Sequence, residues 1–179
     1  VNPPTGDLRG GRVCSWIPSR HNTWVLPRMA TASKKLLNAE DAVVEQMICG
    51  LLACHPTLTR LEGTHVLLRA DFQETKASQV TLLSGGGSGH EPSHGGWLGD
   101  GRPTAAVCGG VFASPSVDAV LSGIRACAGP HGVLVIVKNY TGDRLNFGLA
   151  CEQAKAEGIR CEMVPCHVAL SPLPLTHTN

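Results

Sequence analysis

Four glycines stand within five residues, Gly85, Gly86, Gly87 and Gly89, directly after the apolar run Val80–Leu83. The segment 84–92 reads Ser-Gly-Gly-Gly-Ser-Gly-His-Glu-Pro. A glycine run packs no core. It lets a backbone turn sharply at the end of a strand and approach a ligand closely. The next residue, His90, carries the side chain best suited to moving a proton near neutral pH. The segment therefore reads as a ligand-cradling loop with a built-in acid/base. A flexible linker is the competing interpretation of any Gly/Ser run. Linkers, however, rarely join an apolar strand to a His-Glu-Pro that can open a helix.

A second polar cluster follows the apolar run Val133–Val137. That strand ends on Lys138, a polar turn follows, and Asp143 is placed to cap a helix through Glu157, with Gly158 as its stop. In open α/β sheets, ligands bind beyond the carboxyl ends of the strands. Lys138 and Asp143 thus fall where a site belongs. Lys138 also fits a solvated strand end, and Asp143 can cap and bind together.

The rest of the chain alternates strands and helices. Asn38 is a good N-cap for a helix carrying Val43, Val44, Met47, Ile48, Leu51 and Leu52, and Pro56 follows its end. Val66–Leu68 is a short apolar run, and Gly95–Gly101 is a loop or a helix end. Thr104–Phe112 reads as a buried strand. Ser114-Pro115 reads as a cap with proline at the first helical position, ahead of the stripe Val117, Val120, Leu121 and Ile124. Cys161–Val164 begins another strand. The expected fold is α/β, with a mainly parallel sheet and helices on both faces. Residues 1–28, with Pro3, Pro4, Pro18 and Pro27 and no sustained period, read as a disordered extension. Residues 165–179 break the pattern, because Pro165, Pro172 and Pro174 forbid a helix.

A net charge of +1 over 179 residues gives no electrostatic case for nucleic acid or membrane, and no run approaches the roughly 18 apolar residues of a membrane span. No apolar signal core opens the sequence. The eight cysteines are irregularly spaced, without a Cys-x-x-Cys pair, which favours reduced thiols in a cytosolic protein over a disulfide framework, with Cys49, Cys108, Cys127 and Cys151 set among small or apolar residues. No zinc spacing occurs among them. His90-Glu91-Pro92-Ser93-His94 matches H-E-x-x-H, but that pattern binds zinc only on a helix, and Pro92 leaves His90 ahead of any helix here. A Walker loop needs Gly-Lys-Ser/Thr after its glycines; here Gly-His-Glu follows, which favours a small ligand over a nucleoside triphosphate.

Together, Gly-Gly-Gly-Ser-Gly-His-Glu-Pro at 85–92 and Val-Lys-Asn-Tyr-Thr-Gly-Asp-Arg-Leu-Asn-Phe-Gly at 137–148 resemble the signatures of the dihydroxyacetone kinase family. Val111-Phe112-Ala113-Ser114-Pro115 and Ser33-Lys34-Lys35-Leu36-Leu37-Asn38 resemble it too. The resemblance covers about residues 29–164 and is greatest to the animal triokinase/FMN cyclase type. It implies an incomplete first part of the family's substrate-binding (DhaK) domain, flanked by the extension 1–28 and a divergent tail 165–179. It implies a transferase that phosphorylates dihydroxyacetone or glyceraldehyde, with Gly87, Ser88, Gly89, His90, Lys138 and Asp143 holding the triose.

The physical roles are consistent with those residue types. A triose has hydroxyls and one carbonyl, so it needs several short, fixed hydrogen bonds. The amides of Gly87 and Gly89 can approach it, Lys138 can donate to it, and Ser88 either contacts it or braces the loop. His90 and Asp143 would share acid/base work on the hydroxyl that attacks the γ-phosphate. For the complete family enzyme the resemblance further implies ATP and Mg²⁺, a homodimer, a cytosolic location, and capture of the ketone on a histidine beyond position 179. The nucleotide-binding helical domain also lies beyond it. The sequence is therefore expected to be part of such a kinase, with neither a bound metal nor turnover of its own. The alternative is a catalytically inactive truncated product acting as a binding or regulatory fragment.

Overall fold

The computed structural model describes residues 39–166. Among them, six strands form one sheet: β1 (Leu58–Arg60), β2 (Val66–Arg69), β3 (Thr81–Ser88), β4 (Ala105–Val111), β5 (Val133–Lys138) and β6 (Cys161–Cys166). Their order across the sheet is β1-β2-β4-β3-β5-β6. β3 to β6 run parallel with their neighbours, whereas β1 and β2 form an antiparallel margin beside β4. The helices are α1 (Val43–Cys54), α2 (Phe72–Ser78), α3 (Val117–Cys127) and α4 (Thr141–Ala156), with short 3₁₀ turns at Glu40–Ala42 and Gly95–Trp97.

The period-two alternation of the strands divides the core between the two faces. Val66 and Leu68 of β2, Ala105 and Val107 of β4, and Val133, Val135 and Val137 of β5 pack with Val120 and Ile124 of α3 and with Phe147 and Ala150 of α4. The intervening Leu67, Ala106 and Cys108 pack with Ile48 of α1 and with Leu98. Each fully buried Val, Leu or Ile side chain contributes about 1.5–3 kcal/mol relative to exposure. Helices thus cover both faces over β2 and β4, as the sequence pattern predicts. Beyond β3 the second face is more open: Leu134 and Ile136 are half-buried and Val164 is exposed.

Several local expectations need correction. The cap of α3 is Ser116, whose hydroxyl accepts from the Ala119 amide at 3.3 Å; Ser114 and Pro115 precede the helix. Asp143 is not a cap but the third residue of α4, which starts after Tyr140. The stop of α4 is as expected. Gly158 adopts φ +83°, and the Gly158 and Ile159 amides donate to the carbonyls of Lys155 and Ala154 at 2.9 Å. That paired arrangement satisfies carbonyls the helix leaves free. Pro165 and Cys166, assigned to the tail, belong to β6 and pair with Val137 and Lys138; β6 is the outer strand, where a proline costs no ladder bond. Cys49 is exposed, while Cys108, Cys127, Cys151 and Cys161 are buried free thiols. The Asn38 cap, the extension 1–28 and residues 167–179 lie outside the described residues.

Candidate functional site

β3 lies between β4 and β5, and the chain leaves β3 and β4 toward opposite faces. The strand order reverses there, and a crevice opens at the carboxyl ends. Three segments meet in it: residues 89–94 after β3, 112–116 after β4, and 139–143 after β5. They enclose a cavity of about 250 Å³ lined by Gly87, His90, Phe112, Ala113, Ser114, Lys138, Tyr140 and Asp143. That is below the roughly 300–1,000 Å³ of sites for drug-sized ligands.

The glycines do not form the loop that the sequence suggests. Gly85, Gly86 and Gly87 lie within β3, paired to β4 and β5 with an irregular register between Gly86 and Ser88. Their missing side chains admit neighbours instead. A Cβ at Gly85 would stand 2.5 Å from the Val107 carbonyl oxygen and 2.9 Å from Phe147 Cζ. At Gly87 it would stand 2.9 Å from the Ala113 amide nitrogen, and at Gly86 2.9 Å from Lys138 Cε and 3.0 Å from His94 Cε1. Bare backbone at the end of β3 therefore lets the segment after β4, and the side chains of Lys138 and His94, close over the strand.

Four of the six sequence-nominated residues line the cavity: Gly87, His90, Lys138 and Asp143. His90 is exposed at the rim, its ring edge-on to Phe112 with centroids 5.0 Å apart. Lys138 Nζ sits 5.5 Å from the centre of the Tyr140 ring. Asp143 is only 2% exposed. Its place in the first turn of α4 suits a negative charge at a helix N-terminus, and its Oδ1 accepts from Ser114 Oγ at 2.5 Å.

Ser88 and Gly89 do not line the cavity. The buried Ser88 hydroxyl donates to the Gly109 carbonyl at 2.8 Å, and the Gly89 amide donates to the Glu91 carboxylate, 3.1 Å from each oxygen. His94 is buried behind the wall, beside Gly86 and edge-on to Trp97. Burial, with the Lys138 charge adding to it, lowers its pKa to about 4. It is therefore neutral at pH 7.

Sequence reasoning missed Phe112, Ala113, Ser114 and Tyr140 as parts of the cavity wall. Phe112 adopts φ +49°, a strained conformation for a bulky residue; no sequence periodicity announces it. Ser114 was hidden by its resemblance to a cap. A larger cavity of about 400 Å³ lies on the far side of Ser114, next to the start of α3; its ionisable side chains are His65, Cys108 and Asp118. The smaller cavity brings an acid, an imidazole and an ammonium together.

A mixed α/β sheet with a small polar cavity at its switch point has the architecture in which open α/β domains place their ligand sites. Residues 49–170, more than half of the chain, match the Dak1 domain, and the chain belongs to the dihydroxyacetone kinase family. It is 55% identical over 135 residues to a triokinase/FMN cyclase of Rattus norvegicus, covering 74% of this chain and 23% of that protein. It is 51% identical over 132 residues to the dihydroxyacetone-binding subunit DhaK of a PTS-dependent dihydroxyacetone kinase of Listeria innocua, covering 73% and 39%. Among solved structures it resembles the dihydroxyacetone kinase of C. freundii in complex with AMP-PNP and Mg²⁺, with a TM-score of 0.70, 50% identity, and coverage of 75% of this chain and 25% of that one. The chain thus spans about a quarter of the length of the rat relative.

Proposed function

We propose that this chain supplies the triose-binding part of a dihydroxyacetone or glyceraldehyde kinase, and that the cavity between β3, β4 and β5 takes the triose. The observation that carries the proposal is the convergence of His90, Lys138 and Asp143 on a cavity of about 250 Å³. Lys138 donates to a substrate oxygen, and the Gly87 backbone packs against the ligand where no side chain intervenes. Asp143 accepts from a substrate hydroxyl, and His90 at the rim shares the proton transfer as that hydroxyl attacks the γ-phosphate. Ser88 and Gly89 contribute by holding the backbone: one ties β3 to β4, and the other is fixed by Glu91.

ATP is the second substrate of the whole enzyme, with Mg²⁺ as its ion. The donor set of this cavity does not suit that ion. Mg²⁺ takes an octahedron of oxygen ligands, whereas the lining offers a single carboxylate, Asp143, together with the ammonium of Lys138. Nucleotide and Mg²⁺ are accordingly assigned outside residues 39–166, and these 179 residues by themselves bind triose without turning it over. A homodimeric, cytosolic whole enzyme goes with this proposal and comes from the family resemblance.

Titration of the ¹⁵N-labelled chain with dihydroxyacetone tests it. Amide shifts should concentrate at Gly87, His90, Phe112, Lys138 and Asp143, and His90→Ala and Asp143→Ala should weaken the response. Shifts spread over the surface, or centred on the start of α3, would overturn it.

A further inference from the structure

The segment that follows β4 is stitched to α4 by two side-chain bonds. Ser114 Oγ lies 2.5 Å from Asp143 Oδ1. Asn146 Nδ2, one turn further along α4, donates to the Pro115 carbonyl at 2.8 Å. Gly142 makes the first contact possible, since a Cβ there would stand 2.7 Å from Ser114 Oγ. On its other side the segment rests on Gly109, whose Cβ would meet the Ala113 carbonyl oxygen at 2.2 Å. Ser114 is therefore held between two close backbone approaches. The helix cap is made by Ser116, so the Ser114 hydroxyl has no capping duty. A hydroxyl has one proton to give, and a carboxylate has two oxygens that accept.

We infer that Ser114 is a positioning residue of the triose site. Its hydroxyl occupies Oδ1 of Asp143 and sets the carboxylate's rotation, so that Oδ2 is the oxygen presented to the ligand hydroxyl. This rests on the proposed triose site. A carboxylate free to rotate would accept the same hydrogen bond only from part of its orientations, and a bond to a charged acceptor is sensitive to that geometry.

Dihydroxyacetone affinity, read from amide-shift titrations of the full chain, tests the assignment. Ser114→Ala should weaken binding about tenfold, the scale of one charge-assisted hydrogen bond. Ser114→Thr keeps the hydroxyl and should restore affinity to within about twofold of the parent. The double variant Ser114→Ala/Asp143→Asn should bind no worse than Asp143→Asn, since residues that act through one another are not additive. If Ser114→Ala does not give a folded amide spectrum, Ser114→Cys, close in shape but a weak donor, takes its place.

Parent-like affinity in Ser114→Ala overturns this inference while leaving the triose site standing. So does a double variant that adds the full serine loss to the asparagine one. A parent chain that binds no dihydroxyacetone overturns the site and the inference together.

Discussion

His90 and His94 stand four residues apart in opposite surroundings. His90 is exposed at the rim of the cavity, where a ligand can reach it. His94 is 7% exposed, and its pKa is lowered from 6.5 to about 4. In the unfolded chain the same ring titrates near 6.5. Between about pH 4 and 6.5 the unfolded state therefore binds a proton that the folded state refuses. The stability that His94 permits is whole above that window and declines as pH falls through it, by about 1.4 kcal/mol per pH unit. Urea midpoints of the parent and of His94→Gln, measured at pH 7 and pH 5, should separate the two. The parent loses more stability on acidification than the variant, which has no ring to protonate. Equal losses would mean that His94 takes up its proton in the folded state. The sequence singles out His90 by its place after the glycines and leaves His94 a structural role; the depth of His94's burial is not legible there, because it is decided by Gly86, Trp97 and Lys138 closing around one ring.

At the scale of elements, the glycines of β3 are spacing devices. A strand glycine is ordinarily a weakness, since it orders more backbone entropy and packs nothing. Here Gly85 gives its volume to Val107 and Phe147, the latter fully buried. Gly85→Ala should therefore destabilise the fold by about 1–3 kcal/mol through overpacking, as a lower denaturant midpoint with an unchanged slope. A neutral or stabilising alanine would show that β4 and Phe147 can yield.

The long periodic elements were legible. The stripe of α3, the strands around Val107 and Val135, and the stop at Gly158 follow from apolar period and turn chemistry. The short ones were not. β1 has three residues, too few for a period. α2 reads Phe-Gln-Glu-Thr-Lys-Ala-Ser and buries only Thr75, so it shows no apolar stripe; Asp71 before it pairs with Arg69 instead of capping. Ser114 ahead of Pro115 looks like the cap of α3 in sequence, yet the structure gives that place to Ser116 and bonds Ser114 to Asp143 of α4.

For the whole molecule, the site is a product of topology. Its residues come from three segments that together span more than fifty positions, from Gly87 to Asp143, and the sequence placed them together only through the rule that ligands sit at strand ends and through family resemblance. Three-dimensional closure then removed Ser88 and Gly89 from the cavity wall and added Phe112, Ala113, Ser114 and Tyr140. The apolar surface is uneven. Leu145 and Leu149 lie one turn apart on α4 and are 65% and 51% exposed, and one face of β5 and β6 is open.

Phosphoryl transfer depends almost wholly on positioning and charge neutralisation around the nucleotide, and against a triphosphate the described cavity sets one ammonium, Lys138, beside the carboxylate of Asp143. A coupled assay with dihydroxyacetone, ATP and Mg²⁺ should therefore give no rate above the blank for these 179 residues. Measurable turnover would place a nucleotide site within them.

The proposed triose site is the cavity at the ends of β3, β4 and β5. A crystal structure of the chain with dihydroxyacetone tests it most directly. One triose is expected between the Gly87 backbone, Lys138 Nζ and the Asp143 carboxylate, with Ser114 still bonded to Oδ1 and His90 at the rim. A triose bound instead in the cavity at the start of α3, beside His65 and Asp118, would contradict it.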